Sequence, residues 1–567
     1  METRYLLLLL IMGMFLLLLF LITHNSFSLN SIKAKPVGDG QHGNSEFATK
    51  KEIHDNFNIV PYTVNKWRNK QCLPKEQGII LGSEIIRRQL HAFVDTEDVH
   101  TIMIGAAGVG KTACFLYPNL EYACASGMSF LTTDTKGDLY RNYAGIAQKY
   151  YGYNVSIIDL RNPLQSNHFN MLHLVNKYID LYIDTKDIKM KAKAEKYAKI
   201  ISKTIIYSSG TDTNYGQNQF FYDSAEGLLT ATILIISEFA PKEKRHIISV
   251  FKLIQDLMSI NMNKISEFKV LINLLPENHK ARWFAGSALN TSEQAMQSIL
   301  STALARLNAF LDSEMEQILC FETDIDAERF CNTKSAIFLV LPEEDNTKYF
   351  IVSLIIQQLY REILTVADEI GGKLNNRAIF FLDEIGTIPK IESIEMMFSA
   401  ARSRNLLVVA IIQSFAQLDK NYGEKGSEII LDNCVNSIFG RFAPNSKTAE
   451  ILSNNLGTHT VLSGSVTKGK GDSTQSLQMI ERKLMTPEEL KKLEKFHFIV
   501  TKAGISPIKT KMDLYFKWGI SFEQPYERER GIELEVSYIN KKEIIDAITS
   551  KTLFNNETIK KGVIKVE

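Results

Sequence analysis

The sequence predicts an α/β fold with a mostly parallel sheet, an all-helical insertion and an apolar helix at the start of the chain. After Val99, short and nearly continuous apolar runs recur, as expected for parallel strands covered by helices on both faces. Between the third and fourth runs, from about Leu172 to Asp324, apolar residues instead follow helical spacing. The runs are 101–105, 129–134, 155–160, 336–342, 378–383, 406–413 and 498–504.

The first element is an uncharged stretch, Tyr5–Ile22, which as a helix would span about 27 Å, just enough for a bilayer. A secretory signal peptide is the alternative, but its apolar core usually has only about 7 to 15 residues. No small-x-small cleavage site follows the stretch. We therefore predict a transmembrane anchor over residues 1–24 and a polar, glycine-containing tether over residues 25–51.

The charges beside the anchor indicate its orientation. Arg4 alone precedes the apolar stretch, whereas four lysines follow it in the tether. These are Lys33, Lys35, Lys50 and Lys51. Because positively charged flanks favour the cytoplasmic side, we expect a single-pass protein of the cell membrane whose main body lies in the cytoplasm.

Composition limits the classes of partner. Lys and Arg number 65 and Asp and Glu number 64, so the net charge of +1 provides no overall attraction to nucleic acid or anionic lipid. Any polyanion must therefore be held locally. The six cysteines contain no C-x-x-C pair, and none has a histidine at metal-ligand spacing, so we expect no disulfide framework and no zinc site.

A glycine-rich turn follows the first apolar run. Residues 105–112 read GAAGVGKT and fit G-x-x-x-x-G-K-[ST] between a strand and a helix. Backbone N–H groups in such a turn point at a phosphate, aided by the helix N-terminus. We expect Lys111 to bridge the β and γ phosphates of ATP and the Thr112 hydroxyl to bind Mg²⁺. The predicted phosphate-binding residues are Gly105, Ala106, Ala107, Gly108, Val109, Gly110, Lys111 and Thr112.

The acidic partner of this turn is RAIFFLDEIG, in which an apolar run ends in Asp383 and Glu384. We expect Asp383 to hold Mg²⁺ and Glu384 to orient and deprotonate the attacking water. An acidic helix cap after a buried strand is the simpler alternative for this motif alone. Lys111 and Asp383 are 272 positions apart, and the helical insertion accounts for most of that separation.

Further polar residues flank the next apolar run, and we expect them on the same side of the sheet as the glycine-rich turn. Arg402 and Arg404 precede the run and Gln413 ends it. Gln413 is a candidate sensor of the γ-phosphate, although a strand-end glutamine is often only a surface residue. An arginine that reaches a neighbour's nucleotide can add roughly 10³ to 10⁵ in rate, and the residues alone leave open which arginine does so.

These motifs divide the chain. We expect a nucleotide-binding domain in two parts, 52–172 and 325–520, separated by an all-helical insertion domain over 173–324. A C-terminal tail with a short helix follows over 521–567.

Two segments have biased composition. For the lysine-rich residues 186–203 a solvated helix face is a simpler interpretation than a nucleic-acid contact. Residues 463–476 are rich in Gly, Ser and Thr and are predicted to form a loop.

Nine pieces in a fixed order carry a family resemblance. They are HGNSEFATKKEI (42–53), GIILG (78–82), GAAGVGKTACFLYPNL (105–120), TTDTKGDLYRNYAG (132–145), FNML (169–172), FLDEIGTIPKIE (381–392), ARSRNLLVVAIIQSFAQL (401–418), LGTHT (456–460) and RKLMTPEEL (482–490). From about Gly43 to Tyr515 the chain resembles the type IV secretion coupling proteins, the TraG/TraD-like ATPases of conjugation.

The resemblance implies a RecA-like P-loop NTPase that forms a homo-hexameric ring below the membrane. Its implied partners are single-stranded DNA, the relaxase or relaxosome, and subunits of the type IV secretion channel. It also implies that Arg402 is the arginine finger acting in trans and that Gln413 is the polar sensor of the third motif. Family members commonly have two transmembrane helices, whereas this sequence predicts one.

Two other functions remain as alternatives. One is a double-stranded DNA pump of the FtsK kind, which would normally carry a C-terminal winged-helix module. The other is a membrane docking platform for relaxase that binds ATP only to assemble. Glu384 beside Asp383 disfavours the platform, because a platform has no need of a catalytic base.

Overall fold

The computed structural model describes residues 12–18, 36–207, 218–259, 265–342, 348–391, 394–468 and 473–551. Most of the predicted membrane span, Tyr5–Ile22, lies outside the described residues, and its described part, 12–18, is helical. Residues 552–567 of the predicted tail also lie outside them.

Nine strands form the main sheet, in the order β14-β13-β10-β4-β9-β8-β5-β7-β6. All seven predicted runs are strands of this sheet, and its seven strands from β10 to β6 are parallel. The main-sheet strands are β4 (Thr101–Ile104), β5 (Ser129–Asp134), β6 (Asn154–Asp159), β7 (Ser335–Val340), β8 (Ala378–Leu382), β9 (Leu406–Ile412), β10 (Asn436–Phe439), β13 (His497–Lys502) and β14 (Ile508–Lys511).

The last predicted run, β13, differs from the expectation because it pairs antiparallel with both of its neighbours. Its residues are apolar for the same reason as those of the parallel strands, since both faces of the sheet are covered. On β4, for example, Ile102 and Ile104 pack into one core and Met103 into the other. Hydrophobic burial on two faces therefore predicts a strand but not its direction.

Two smaller sheets accompany the main one. β1 (Asn58–Pro61), β2 (Ile79–Ile86) and β3 (Gln89–Asp95) form an antiparallel sheet. β11 (Thr458–Lys468) and β12 (Ser473–Lys483) form a long hairpin.

The hairpin corrects part of the prediction of a loop over residues 463–476, of which residues 469–472 lie outside the described residues. The described residues 463–468 and 473–476 belong to its strands, for example Ser463 opposite Gln478 and Ser465 opposite Ser476. The tether also supports β11, because the N–H groups of Val37 and Ser45 donate to the carbonyls of Thr460 and Thr458 at 3.0 and 2.9 Å. Composition predicted a loop because Gly, Ser and Thr at these positions give no apolar strand pattern, whereas the hairpin forms by backbone pairing.

Between β6 and β7 the described residues form helices and connecting turns. These helices are α5 (His173–Thr185), α6 (Ile188–Tyr207), α7 (Gln219–Phe239), α8 (Ile247–Asp256), α9 (Glu267–Asn273), α10 (Lys280–Phe284), α11 (Gly286–Leu289), α12 (Glu293–Leu307), α13 (Ser313–Leu319) and α14 (Ala327–Asn332). The other helices are α1 (Lys50–Asn56), α2 (Val64–Arg68), Lys111–Leu116 continuing into α3 (Tyr117–Ser126), α4 (Asp138–Tyr151), α15 (Tyr349–Glu369), α16 (Ile394–Ala400), α17 (Phe415–Asn433), α18 (Thr448–Asn455) and α19 (Pro487–Lys491).

Two described helices, α7 and α15, are long and apolar enough to cross a membrane by length and composition. Both are mostly buried within the protein. Helix α7 packs against α6, α10 and α12 inside the helical region, which is sufficient reason for its apolar composition.

The C-terminal tail crosses from the sheet to the helical region. The N–H of Gly531 donates to the carbonyl of Leu164 at 2.9 Å, and the N–H of Leu534 donates to the Gln317 side chain at 3.0 Å. A helix over 541–551 then buries Ile544 and Ile548 in the core that includes the helical region. The tail, which continues from the nucleotide-binding part, is therefore held to the helical region by hydrogen bonds and packing.

Candidate nucleotide-binding site

The glycine-rich turn lies at the carboxyl end of β4. Its backbone is held by neighbouring strand ends, because Gly105 N–H donates to Ile412 O at 3.2 Å and Ala106 N–H to Arg441 O at 3.1 Å. Gly108 and Gly110 have φ values of 77° and 92°, a conformation that favours glycine. Among the described contacts, the N–H groups of Ala107, Gly108 and Gly110 have no protein acceptor. The turn can therefore donate several hydrogen bonds to an anion.

Lys111 begins the helix that follows and is buried. Its Nζ atom donates to Gly105 O at 3.0 Å and lies 3.2 Å from Oε1 of Glu384. Thr112 is the next residue of this first turn and is half-buried. No described hydrogen bond links Thr112 to Asp383. The two predicted magnesium ligands therefore make no direct contact that the described residues show.

Asp383 follows β8 and is 8% exposed. Its carbonyl accepts a hydrogen bond from Thr133 Oγ1 at 2.8 Å, whereas its buried Oδ1 atom has no partner among the described residues. Burial, and next the charge of Glu384, raise the pKa of Asp383 to about 7, although Lys111 opposes the shift. A buried carboxylate oxygen without a donor fits a divalent cation, which prefers oxygen ligands.

Glu384 has a φ of 52°, in the left-handed region that non-glycine residues rarely adopt. Its carboxylate is held on two sides, by Lys111 at Oε1 and by Gln413 Nε2, which donates to Oε2 at 3.1 Å. Gln413 directly follows β9, which lies between β4 and β8 in the sheet. The strand order therefore brings Lys111, Glu384 and Gln413 together despite their separation along the chain.

The two arginines lie elsewhere, which corrects the expectation that they share this side of the sheet. Arg402 and Arg404 precede β9, and β9 is parallel to β4 and β8, so both arginines lie at the amino edge of the sheet. Arg404 is bound there, with Nη2 2.9 Å from Asp368 Oδ1 and Nη1 donating to Gly372 O. Arg402 is exposed and has no ion pair with a described residue.

The sequence reasoning missed Asp134 as a site residue. It ends β5, the neighbour of β8, and its carboxylate accepts from the N–H groups of Lys136, Gly137 and Tyr140 at 3.2, 2.7 and 3.0 Å. Its charge contributes to the raised pKa of Asp383. The sequence contained a signal for Asp134, because the apolar run 129–134 ends in an aspartate just as the run 378–383 does.

Comparison with known proteins points to one group. The family described as "Type IV secretory system Conjugative DNA transfer" matches residues 50–560. The chain belongs to this family. Membership confirms the resemblance to TraG/TraD-like coupling proteins that the ordered motifs predicted.

Two curated relatives show how far this similarity extends. The type IV secretion system-coupling protein VirD4 of Bartonella henselae is 21% identical over 371 residues, which cover 64% of this chain and 55% of VirD4. The probable conjugal transfer protein TraG of Sinorhizobium fredii is 27% identical over 150 residues, 26% of this chain and 23% of TraG. The chain thus spans about half the length of the VirD4 protein that it matches.

Solved structures of the conjugative coupling protein TrwB share the fold. The unbound form aligns with a TM-score of 0.56 at 17% identity, covering 86% of this chain and 98% of that chain. The complex of TrwB with ADP and Mg²⁺ aligns with a TM-score of 0.56 at 15% identity over the same shares. Together with the mostly parallel sheet, this similarity confirms the predicted α/β fold.

Proposed function

We propose that this chain is a membrane-anchored ATPase that couples a DNA–relaxase complex to a type IV secretion channel and drives single-stranded DNA through it. The observation that carries the proposal is the linked arrangement of Lys111, Glu384 and Gln413 beside Asp383. ATP hydrolysis requires three kinds of group. They are a cation that binds phosphate (Lys111), a carboxylate that orients water (Glu384) and a buried acid that binds a metal ion (Asp383).

The proposed mechanism assigns one task to each side chain. The N–H groups of residues 105–112 bind the phosphates of ATP, and Lys111 moves from Glu384 to the β and γ phosphate oxygens. Glu384, released on one side and still held by Gln413 on the other, orients the attacking water and accepts its proton. Thr112 and Asp383 would hold Mg²⁺, which when bound neutralises charge on the phosphates.

Arg402 is proposed to complete the site of a neighbouring copy. Its position at the amino edge supports this, because β9 alone, with seven residues, separates the edges by about 23 Å and prevents Arg402 from reaching its own phosphate loop. Arg404 is a weaker candidate because it is engaged by Asp368 and Gly372. A site shared between copies supports the expected homo-hexameric ring.

The ligands bound in related structures support the cofactors. TrwB has been solved with ADP and Mg²⁺ and with an ATP analogue that is not hydrolysed. We extend both ligands to this chain, on the strength of its phosphate loop and the partnerless Oδ1 of Asp383.

The proposal also includes a membrane anchor, its orientation and the partners of the protein. Residues 5–22 would form a single membrane span with the ATPase in the cytoplasm. The described part of the tether, which begins at residue 36, pairs with β11, so the chain enters the body of the protein beside this hairpin. The relaxase and the channel subunits are the partners that conjugative transfer requires.

ATP hydrolysis by the full chain in lipid nanodiscs tests the proposal, with single-stranded or duplex DNA and at several protein concentrations. We expect stimulation by single-stranded DNA and a specific activity that rises with concentration. Stimulation by duplex DNA alone would support the pump alternative instead.

The Glu384→Gln variant separates a motor from a platform. Loss of a general base costs about 10²- to 10⁴-fold in rate, and we expect DNA transfer to fall with hydrolysis. Glu369→Gln, an exposed change at the end of α15, is the matched control. Normal transfer by a Glu384→Gln variant that cannot hydrolyse ATP would contradict the motor.

A further inference from the structure

Helix α6 of the helical region carries an unbalanced positive charge. Residues 186–203 contain seven lysines and two acidic residues, Asp187 and Glu195, a net charge of +5. The whole chain has a net charge of +1, so the other residues together sum to −4. This segment is therefore strongly basic, whereas the remainder of the chain is slightly acidic.

Four of these lysines form one row, which we call the lysine row. They are the exposed residues Lys189, Lys196, Lys199 and Lys203. At about 100° per residue they fall on one side of the helix, opposite the buried residues Ala194, Tyr197, Ala198, Ile201 and Ile205. From first to last the row covers 14 residue-to-residue steps, or about 21 Å.

No described carboxylate lies within 4.0 Å of any of the row's four ammonium groups, although the charges of Lys199 and Lys203 act on half-buried Glu226 of α7 and oppose the rise that burial causes in its pKa. Within the row, Lys199 follows Lys196 by three positions and Lys203 follows Lys199 by four. Like charges at these spacings repel each other across one helical turn. An anion from outside the chain would relieve this repulsion.

The other two lysines within α6 are held by aromatic rings. Lys191 Nζ lies 5.2 Å from the Tyr182 ring centroid, and Lys193 Nζ lies 4.9 Å from that of Tyr178. The four residues of the lysine row have no described ring contact of this kind, so their side chains extend from the surface.

We propose that the lysine row binds the phosphate backbone of DNA without reading its sequence. A length of about 21 Å matches about six nucleotides of one strand at 3.4 Å each. Lysine is depleted at protein–protein interfaces, whereas it is a common phosphate ligand, so the composition favours a nucleic acid over a protein partner. The inference rests on the proposed role in DNA transfer and adds a contact surface outside the nucleotide site.

The test measures DNA binding by the full chain in nanodiscs of uncharged lipid. A fluorescent 30-nucleotide single strand is titrated at 50 to 250 mM salt, with the quadruple variant K189Q/K196Q/K199Q/K203Q beside the unaltered chain. Because each phosphate contact contributes about −0.7 to the slope of log K against log salt, we expect the slope to decrease in magnitude by about 3. Affinity at 100 mM salt should fall at least about tenfold.

Two further variants make the result specific. K420Q/K425Q/K492Q/K495Q removes four exposed lysines of the nucleotide-binding part, none paired with a described residue, and should leave the slope within about 0.5. Arginine at all four row positions should retain the full slope. The proposal would be overturned if the slope of log K against log salt were the same in the row variant and the control variant. It would also be overturned if the arginine variant had the reduced slope of the row variant.

Hydrolysis of ATP without DNA is measured on the same samples. The row variant should retain the unstimulated rate, because the lysine row lies outside the nucleotide site. A chain that binds DNA through the row but never hydrolyses ATP would contradict the proposed function and leave this inference standing.

Discussion

Nζ of Lys111 lies 3.2 Å from Oε1 of Glu384, so an ion pair joins the phosphate loop to the acidic strand end across β9. The same lysine donates to Gly105 O at 3.0 Å. Lys111 therefore already lies where it can exchange a carboxylate for a phosphate.

The Lys111→Ala variant lacks the ammonium group that contacts the Gly105 carbonyl and the Glu384 carboxylate. We expect ATP hydrolysis to fall by at least about 10²- to 10³-fold, because preorganised charge at the phosphates is lost. DNA transfer should be abolished, while the amount of protein in the membrane fraction stays the same. Transfer at the normal frequency would refute the motor function.

Asp383 should make metal binding depend on pH. Burial and the charge of Glu384 raise its pKa to about 7, and Lys111 only partly opposes them. A cation must displace the proton, so Mg²⁺ affinity should rise by about tenfold per unit up to pH 7 and then level off. Calorimetry with a non-hydrolysable ATP analogue at pH 6, 7 and 8 measures this, and Asp383→Asn should remove the pH dependence.

The same pKa predicts a stability effect with a definite sign. The unfolded carboxyl has a pKa of about 3.9, so the folded protein binds this proton more tightly than the unfolded chain. The contribution is complete below about pH 4 and is lost as the pH rises to about 7. Relative to Asp383→Asn, the unaltered chain should lose melting temperature over that window, and an unchanged difference would contradict the shift.

Arg402 and Arg404 should behave differently although they are two positions apart. Arg402→Ala should abolish concentration-dependent hydrolysis, whereas Arg404→Ala should cost at most about 1 kcal/mol of stability, as for an exposed ion pair. Mixing Arg402→Ala with Glu384→Gln should restore part of the activity, because one copy supplies the arginine and the other an intact site. No recovery in the mixture would argue against action in trans.

Gly110 should tolerate a side chain less well than Gly108. Both have positive φ, but a Cβ at Gly110 would lie 2.7 Å from Cys114 Sγ, whereas one at Gly108 meets nothing within 4 Å. We expect Gly108→Ala to cost about 1 to 2 kcal/mol from backbone strain and Gly110→Ala to cost more. Thermal melting and ATP binding measure the two effects, and equal losses would exclude the contact with Cys114.

The tail helix should stabilise the helical region. Ile544 is fully buried, so Ile544→Ala should cost about 2 to 5 kcal/mol, whereas the exposed change Lys542→Ala should have little effect. Hydrogen exchange of the helical region and of the tail reports where the loss occurs. Unchanged protection in both would contradict the packing of the tail.

Local patterns predicted much of this protein, for identifiable reasons. Strands such as β4 and β8 were recognisable because burial on both faces requires an unbroken apolar run, and Lys111 and Asp383 because their motifs adjoin those strands. Hairpin β11–β12 was not recognisable, because residues 463–476 are rich in Gly, Ser and Thr and its strands are defined by backbone pairing rather than by an apolar pattern.

The sequence by itself determined the family, the phosphate loop and the acidic strand end, since each depends on a few neighbouring residues with a fixed chemistry. The tertiary structure decided which of them meet. Strand order places β9, which Gln413 follows, between the strands that lead to Lys111 and Glu384. The parallel direction of these strands places Arg402 at the opposite edge of the sheet. Both are properties of long-range pairing, which no local window of sequence contains.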